Sequence, residues 1–224
     1  MKLVHMEYPF YIEFEENKAN ILSIENTNVF TKVLKGFMEQ TEGKEGDFVL
    51  SEGIKELRMD KKADLILSPL TVDVNQKKVI NKISSVLNTA AQNEMTVETM
   101  ELNGAVQKYL SCLADYSPFD VDFKDDIDVA GLLKLYEMHI PSEDMSVSEN
   151  LILYIKAMHR VCGTEVFAIL NLKQYISKEE LQQFYESVFY EKVFLLLIEG
   201  NFSGKEENEK CLIYDKDCCI IEAN

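Results

Sequence analysis

The sequence predicts an α/β fold: a head assembled from both ends of the chain, residues 1–73 and 163–224, with a mainly helical leg inserted at 74–162. Three features of the pattern carry this expectation. Apolar residues alternate with period two near the N-terminus and switch to three-and-four spacing after Asp73. After Glu165 they return to short apolar runs on either side of one amphipathic helix. With 224 residues the chain accommodates one core plus an insertion, not two full-sized domains.

Tyr11–Phe14 and Ala19–Glu25 alternate around the polar turn Glu15-Glu16-Asn17-Lys18 and read as strands. Asn26 or Thr27 then caps a helix that places Val29, Phe30, Val33, Leu34, Phe37 and Met38 on one face. Residues 41–46 end it, and further strands are expected at 47–50 and at 63–68, the latter stopped by Pro69. Val79, Ile80, Ile83, Val86, Leu87 and Ala90 then mark a long helix over 75–92. A second, over 97–116, carries Leu102, Val106, Tyr109, Leu110 and Leu113 on its stripe. The short polar break Gln92-Asn93-Glu94 makes the two an αα-hairpin, which Pro118 ends.

Residues 119–123 are expected as a short strand, 129–139 as a short helix and 147–162 as another amphipathic helix. Glu165–Asn171 is a nearly continuous apolar run, as in a strand covered on both faces. Ser177 and Glu180 form a capping box, opening a helix with Leu181, Phe184, Tyr185, Val188 and Phe189 inward. Val193–Ile198 completes a parallel, right-handed βαβ unit. A hairpin of Cys211–Tyr214 and Cys218–Ile221 is expected to close the sheet.

Composition narrows the function. Lys plus Arg is 23 and Asp plus Glu is 39, a net charge of −16 that repels nucleic acid and anionic membranes on average. Phosphate binding therefore needs a local basic surface or a bridging cation. The longest apolar run, Val193–Ile198, falls far short of the roughly 20 residues of a membrane helix. Residues 1–7 carry no signal-like apolar region, so a cytosolic protein without a membrane partner is expected. The cysteines (Cys112, Cys162, Cys211, Cys218, Cys219) include no C-x-x-C, and His5, His139 and His159 are scattered, which disfavours both a disulfide framework and a zinc site.

No catalytic motif is present. Gly200-Asn201-Phe202-Ser203-Gly204-Lys205-Glu206 is one residue short of a P-loop and puts Glu206 where the metal-holding hydroxyl belongs. Gly-x-Gly-x-x-Gly, Gly-x-Ser-x-Gly and His-Glu-x-x-His are absent, so no enzyme activity is expected.

Two clusters remain as candidates. Asp120, Asp122, Asp125, Asp126 and Asp128 crowd into nine residues, relieved only by Lys124. Were 119–123 extended, Asp120 and Asp122 would project from one side. Such packed carboxylates suit Ca2+, which accepts six to eight oxygens in loose geometry. The plainer alternative is a solvated acidic loop in which Asp126 or Asp128 caps the next helix. Lys77, Lys78 and Lys82 open the first long helix, with Lys78 and Lys82 on one face and Lys77 beside it. They read either as a solvated face or as a small basic stripe that meets phosphates when several subunits present it together.

The chain resembles the ring-forming, DNA-binding adaptation proteins of type II-A CRISPR systems, the Csn-type family, from about Ile21 to Glu199. The blocks that carry the resemblance are Ile21-Leu22-Ser23-Ile24-Glu25-Asn26, Asp73-Val74-Asn75, Phe119-Asp120-Val121-Asp122-Phe123, and Phe167–Asn171 running through Tyr175–Leu181 to Phe194–Glu199. The resemblance implies a P-loop-ATPase-like head without a Walker motif, a helical leg and a homotetrameric ring. It also implies bound calcium at Asp120 and Asp122, with Asp125 next and Asp126 and Asp128 beyond a one-residue insertion. Double-stranded DNA, particularly its ends, would pass a lysine-lined hole, and the chain would act without catalysis in spacer acquisition beside the integrase proteins and the effector nuclease. The family's leg lysine after Asp-Val-Asn aligns with Asn81, next to Lys82, a shift that turns the side chain by about 100°. The competing functions are an acidic protein-interaction scaffold that binds no DNA, and a nucleotide-binding enzyme.

Overall fold

The computed structural model describes residues 1–223. It divides into two compact units, Met1–Val74 with Ser142–Asn224 (the head) and Asn75–Pro141 (the leg). In chain order the elements are β1 (Lys2–His5), β2 (Tyr11–Glu13), β3 (Ala19–Ile24), α1 (Thr27–Thr41), β4 (Phe48–Glu52), β5 (Lys55–Leu57), α2 (Met59–Lys62) and β6 (Ala63–Ile66). The leg follows with α3 (Lys77–Asn93), α4 (Thr96–Ala114) and α5 (Val129–Leu135). The chain then returns through α6 (Val147–Ala157), β7 (Val166–Leu170), α7 (Lys178–Tyr190), β8 (Phe194–Glu199), β9 (Glu209–Tyr214) and β10 (Ile220–Ala223).

Two sheets form the head. The larger has the order β10-β9-β3-β8-β7-β6, parallel throughout except for the antiparallel edge strand β10. β3 lies between β8 and β9 and is buried along its whole length, as an interior parallel strand must be. The smaller sheet, β2-β1-β4-β5, is antiparallel and alternates in burial. Leu3, Phe10, Ile12, Phe14, Phe48 and Leu50 join Leu22, Ile24, Ala168, Leu196 and Ile198 of the large sheet and Val29, Val33 and Phe37 of α1 in one core cluster.

Local chemistry explains the helix ends. The Asn26 Oδ1 accepts from the N–H groups of Asn28 and Val29 at 3.1 and 3.2 Å, which caps α1. At its other end Gln40 donates to the Phe48 carbonyl and accepts from the Phe48 N–H, which fixes the return into β4. Gly46 is required there, because a Cβ at that position would lie 2.7 Å from the Gln40 side chain. α6 and α7 both open with capping boxes, Ser146 with Glu149 and Ser177 with Glu180.

The structure corrects three expectations. Residues 147–162 belong with the head, so the leg ends at 141 and not at 162. The reason is burial: Leu151, Ile155 and Met158 are within 1% of fully enclosed in the head unit. The helix there also changes character, passing into a π-helical turn at Met158–Cys162 that Gly163 ends in the left-handed region. No strand forms at 119–123. The short elements β1, β5 and α2 were not legible in the pattern. The βαβ unit β7-α7-β8 and the β9–β10 hairpin form as expected.

A buried polar cluster links the turn after β7 with α7, β8 and β9. Lys173, in the 3-10 turn after β7, donates its Nζ to Glu209 at 2.7 Å and to the Gly204 carbonyl at 3.0 Å. The Tyr185 hydroxyl of α7 donates to the other Glu209 oxygen at 2.6 Å. The Lys173 N–H approaches Glu199 at 3.4 Å, and burial pushes that carboxyl up to about 7. β3 passes to α1 through Glu25 and Asn26 alone, with no glycine-rich loop between them.

Candidate nucleic-acid interface

The leg is a three-helix unit in which α3 packs against α4 and α5. Asn75 closes its two ends: the Nδ2 donates to the Ile140 carbonyl at 3.0 Å and the Oδ1 accepts from the Ile140 N–H at 2.7 Å. Val79 is fully buried, so the first turns of α3 have one fixed inward face. Lys77, Lys78 and Lys82 are all exposed, and Lys78 and Lys82, four apart, share a face. Among the described residues none of the three is in an ion pair, and the same holds for Lys108, Lys124 and Lys134 of the leg.

Lys77 and Lys78 occupy the first turn of α3, which carries no acidic residue. That end of a helix bears partial positive charge, so two ammonium groups there cost about 0.3–1 kcal/mol each. The same arrangement sets two side-chain cations at the positive end of the helix dipole, and both favour an oxyanion such as a phosphate. Two lysines at such a site oppose the helix and suit an anionic ligand.

The acidic run is held differently from the sequence expectation. The Asn103 side chain of α4 donates to the Asp125 carbonyl at 2.8 Å, and Gln107 donates to the carbonyls of Lys124 and Asp125. These bonds hold residues 124–125 against α4, and residues 119–123 just before them form no strand. Asp120, Asp122, Asp125, Asp126 and Asp128 are all exposed. The Asp122 Oδ1 accepts from the adjacent Phe123 N–H at 2.9 Å. Asp128 caps α5, accepting from the Gly131 N–H at 2.9 Å, and Gly131 has no room for a Cβ, which would sit 2.6 Å from the Asp128 Oδ2.

Among the described residues no three His, Cys, Asp or Glu side chains converge in a group able to hold a metal. The five aspartates thus match a hard cation in chemistry but not in placement within a single chain. Sequence reasoning missed Asn103 and Gln107, because amides on a helix surface carry no signal of the loop they will hold. The expected stripe on α4 is also left open: Leu102, Tyr109 and Leu113 are exposed, and α4 has no fully buried residue.

Residues 40–218 match the CRISPR-associated protein family Cas_Csn2. The chain belongs to that family. Among solved structures, Stu0660 of Streptococcus thermophilus is similar at TM-score 0.59 and 12% identity, covering 100% of this chain and 76% of that one. At that identity the likeness shows the α/β fold alone. MJ1267, an ATP-binding cassette of an ABC transporter in its ADP conformation, is similar at TM-score 0.48 and 9% identity, covering 98% and 88% of the two chains. A putative ABC transporter ATP-binding protein from Pyrococcus furiosus gives TM-score 0.41 and 10% identity, covering 94% and 97%. No curated protein matches. As a Cas_Csn2 protein the chain is CRISPR-associated, and none of its described helices is long and apolar enough to cross a membrane.

Proposed function

We propose that this Cas_Csn2 protein forms a homotetrameric ring that binds double-stranded DNA, particularly ends, without reading sequence, and serves spacer acquisition beside the integrase proteins and the effector nuclease. It acts as a binding protein and not an enzyme. The observation that carries the reading is the state of the leg cations: Lys77, Lys78 and Lys82 are exposed and outside any ion pair among the described residues, two of them at a helix end that itself attracts phosphate. The exposed apolar positions of α4 support assembly, since a lone subunit leaves them in water. Symmetry then sums a modest basic stripe around one hole, which reconciles DNA binding with a net charge of −16.

Calcium belongs to this reading as an assembly ion held by the run from Asp120 to Asp128, whose carboxylates must be gathered beyond their placement in the single chain. Native mass with calcium and with chelator tests it: a tetramer that is lost with chelator supports the ion's role, and an unchanged mass removes it.

The main test is a binding titration on linear duplex across salt concentrations. Affinity falls steeply with salt and is indifferent to sequence. Replacing Lys77, Lys78 and Lys82 together by Ala lowers affinity at least about tenfold and reduces the salt slope by about one per lysine that meets phosphate. A shallow salt slope, or an unaltered slope in the triple variant, rejects the lysine interface, and no binding to duplex at all favours the acidic scaffold.

A further inference from the structure

Cys218 and Cys219 take no part in the interface described above. They lie at the tip of the β9–β10 hairpin, and both are exposed. The Cys218 N–H donates to the Asp215 carbonyl at 3.2 Å and the Asp215 N–H to the Cys219 carbonyl at 3.0 Å. The Asp215 Oδ1 accepts from the N–H groups of Asp217 and Cys219 at 2.9 and 2.8 Å, so the turn is tied at several points. Cys218 has φ +63°, the left-handed position that such hairpin loops ordinarily give to glycine. Its Sγ lies 3.9 Å from the Asn26 Nδ2, and the Cys219 Sγ lies 3.8 Å from the Asp217 carbonyl.

The remaining cysteines make a useful contrast. Cys211 is buried in β9, where desolvation pushes its thiol up to about 11, so it stays protonated and out of reach. Cys112 is exposed but stands alone on α4, and Cys162 is half-buried at the end of the π-helical turn. Only at 218–219 do two accessible thiols sit on consecutive residues of a hydrogen-bonded turn.

We propose that Cys218 and Cys219 form a dithiol site for a soft, thiophilic electrophile of the trivalent arsenical class. Consecutive Cα atoms are about 3.8 Å apart, below the roughly 4.4–6.8 Å that disulfides span, so direct S–S closure is strained. A bridging arsenic atom relieves that constraint by separating the sulfurs. With phenylarsine oxide two As–S bonds form and both S–H bonds break. The arsenic-bound oxygen leaves with the two protons as water, and no oxidation state changes. Two sulfurs on one turn hold the arsenic far more firmly than two independent thiols, because the second bond forms at high effective concentration. The turn also joins the start of α1, through the Glu25 N–H to the Tyr214 carbonyl at 2.9 Å and the Asn26 Nδ2 to the Lys216 carbonyl at 3.4 Å.

The test loads the intact protein with phenylarsine oxide, challenges it with excess monothiol and reads retention by intact-mass measurement. The wild type keeps one arsenical per chain, and so does Cys112→Ser. Cys218→Ser and Cys219→Ser each release it about a hundredfold more readily. Retention by either serine variant equal to wild type overturns the site. So does release from wild type as fast as from a monothiol adduct, a measurement that needs no variant to fold.

Discussion

Most of the head's cations are ion-paired, and among the described residues those of the leg are not. In the head Lys2 pairs with Glu13, Lys32 with Glu7, Arg58 and Lys61 with Asp60, Lys62 with Glu165, Lys156 and Arg160 with Glu191, Lys173 with Glu209, Lys178 with Glu206 and Lys210 with Glu15. No lysine of the leg has such a partner among the described residues, although the leg carries its own dense run of aspartates. Apolar burial divides the same way: Val33, Phe37, Phe167 and Phe184 are completely enclosed in the head, whereas in the leg Val97 is 66% exposed and Tyr109 66%. The head holds the fully enclosed core, and the leg exposes more of its helix stripe and leaves its lysines outside ion pairs.

Substitutions sharpen this contrast, and the largest effect belongs to the head core. Phe37→Ala empties a fully enclosed site and lowers unfolding free energy by about 3–5 kcal/mol in a denaturant titration, whereas Leu113→Ala on α4, 49% exposed, costs less than about 1 kcal/mol in the isolated subunit. Equal costs would break the comparison. If the Leu113 penalty grows with protein concentration, the leg surface is covered on assembly.

An intermediate effect tests the polar cluster. Glu199 ordinarily titrates near 4.5, and burial raises it to about 7 in the folded chain. The folded state therefore binds a proton more tightly than the unfolded one. The resulting stability is complete below about pH 4.5 and is lost as pH rises through about 7. Glu199→Gln removes that loss, gaining on the order of 1–3 kcal/mol relative to wild type above pH 7 and nothing at pH 4. Melting curves across this range with no pH-dependent difference would contradict the assignment.

The smallest effect separates two roles for one aspartate. Asp128→Ala removes the α5 cap and costs about 0.5–1 kcal/mol, an amount that chelator leaves unchanged. If the cost vanishes in chelator, Asp128 is a metal ligand and not only a cap.

Much of the α/β head was legible because its signals are local. Asn26 caps α1, Ser177 and Glu180 box the start of α7, and the runs at 166–170 and 194–198 are apolar on both faces as buried parallel strands must be. β5, only three residues long and mostly exposed, has no pattern of its own and forms along the edge of β4. The candidate lysine face was legible in part: helix spacing puts Lys78 and Lys82 on one side, but their lack of ion pairs among the described residues is visible only in three dimensions.

Local order was therefore settled by the chain's own chemistry: where the hydrophobic period changes, which polar residues cap, and that no phosphate loop or catalytic motif is present. The folded structure decided whatever joins distant residues. It moved α6 into the head by burying Leu151 and Ile155, and tied the carbonyls of Lys124 and Asp125 to Asn103 and Gln107 of α4. It brought Lys173, Tyr185, Glu199 and Glu209 into one buried cluster. Periodicity and capping act within a few residues along the chain, while burial and hydrogen-bond competition depend on which surfaces meet in space.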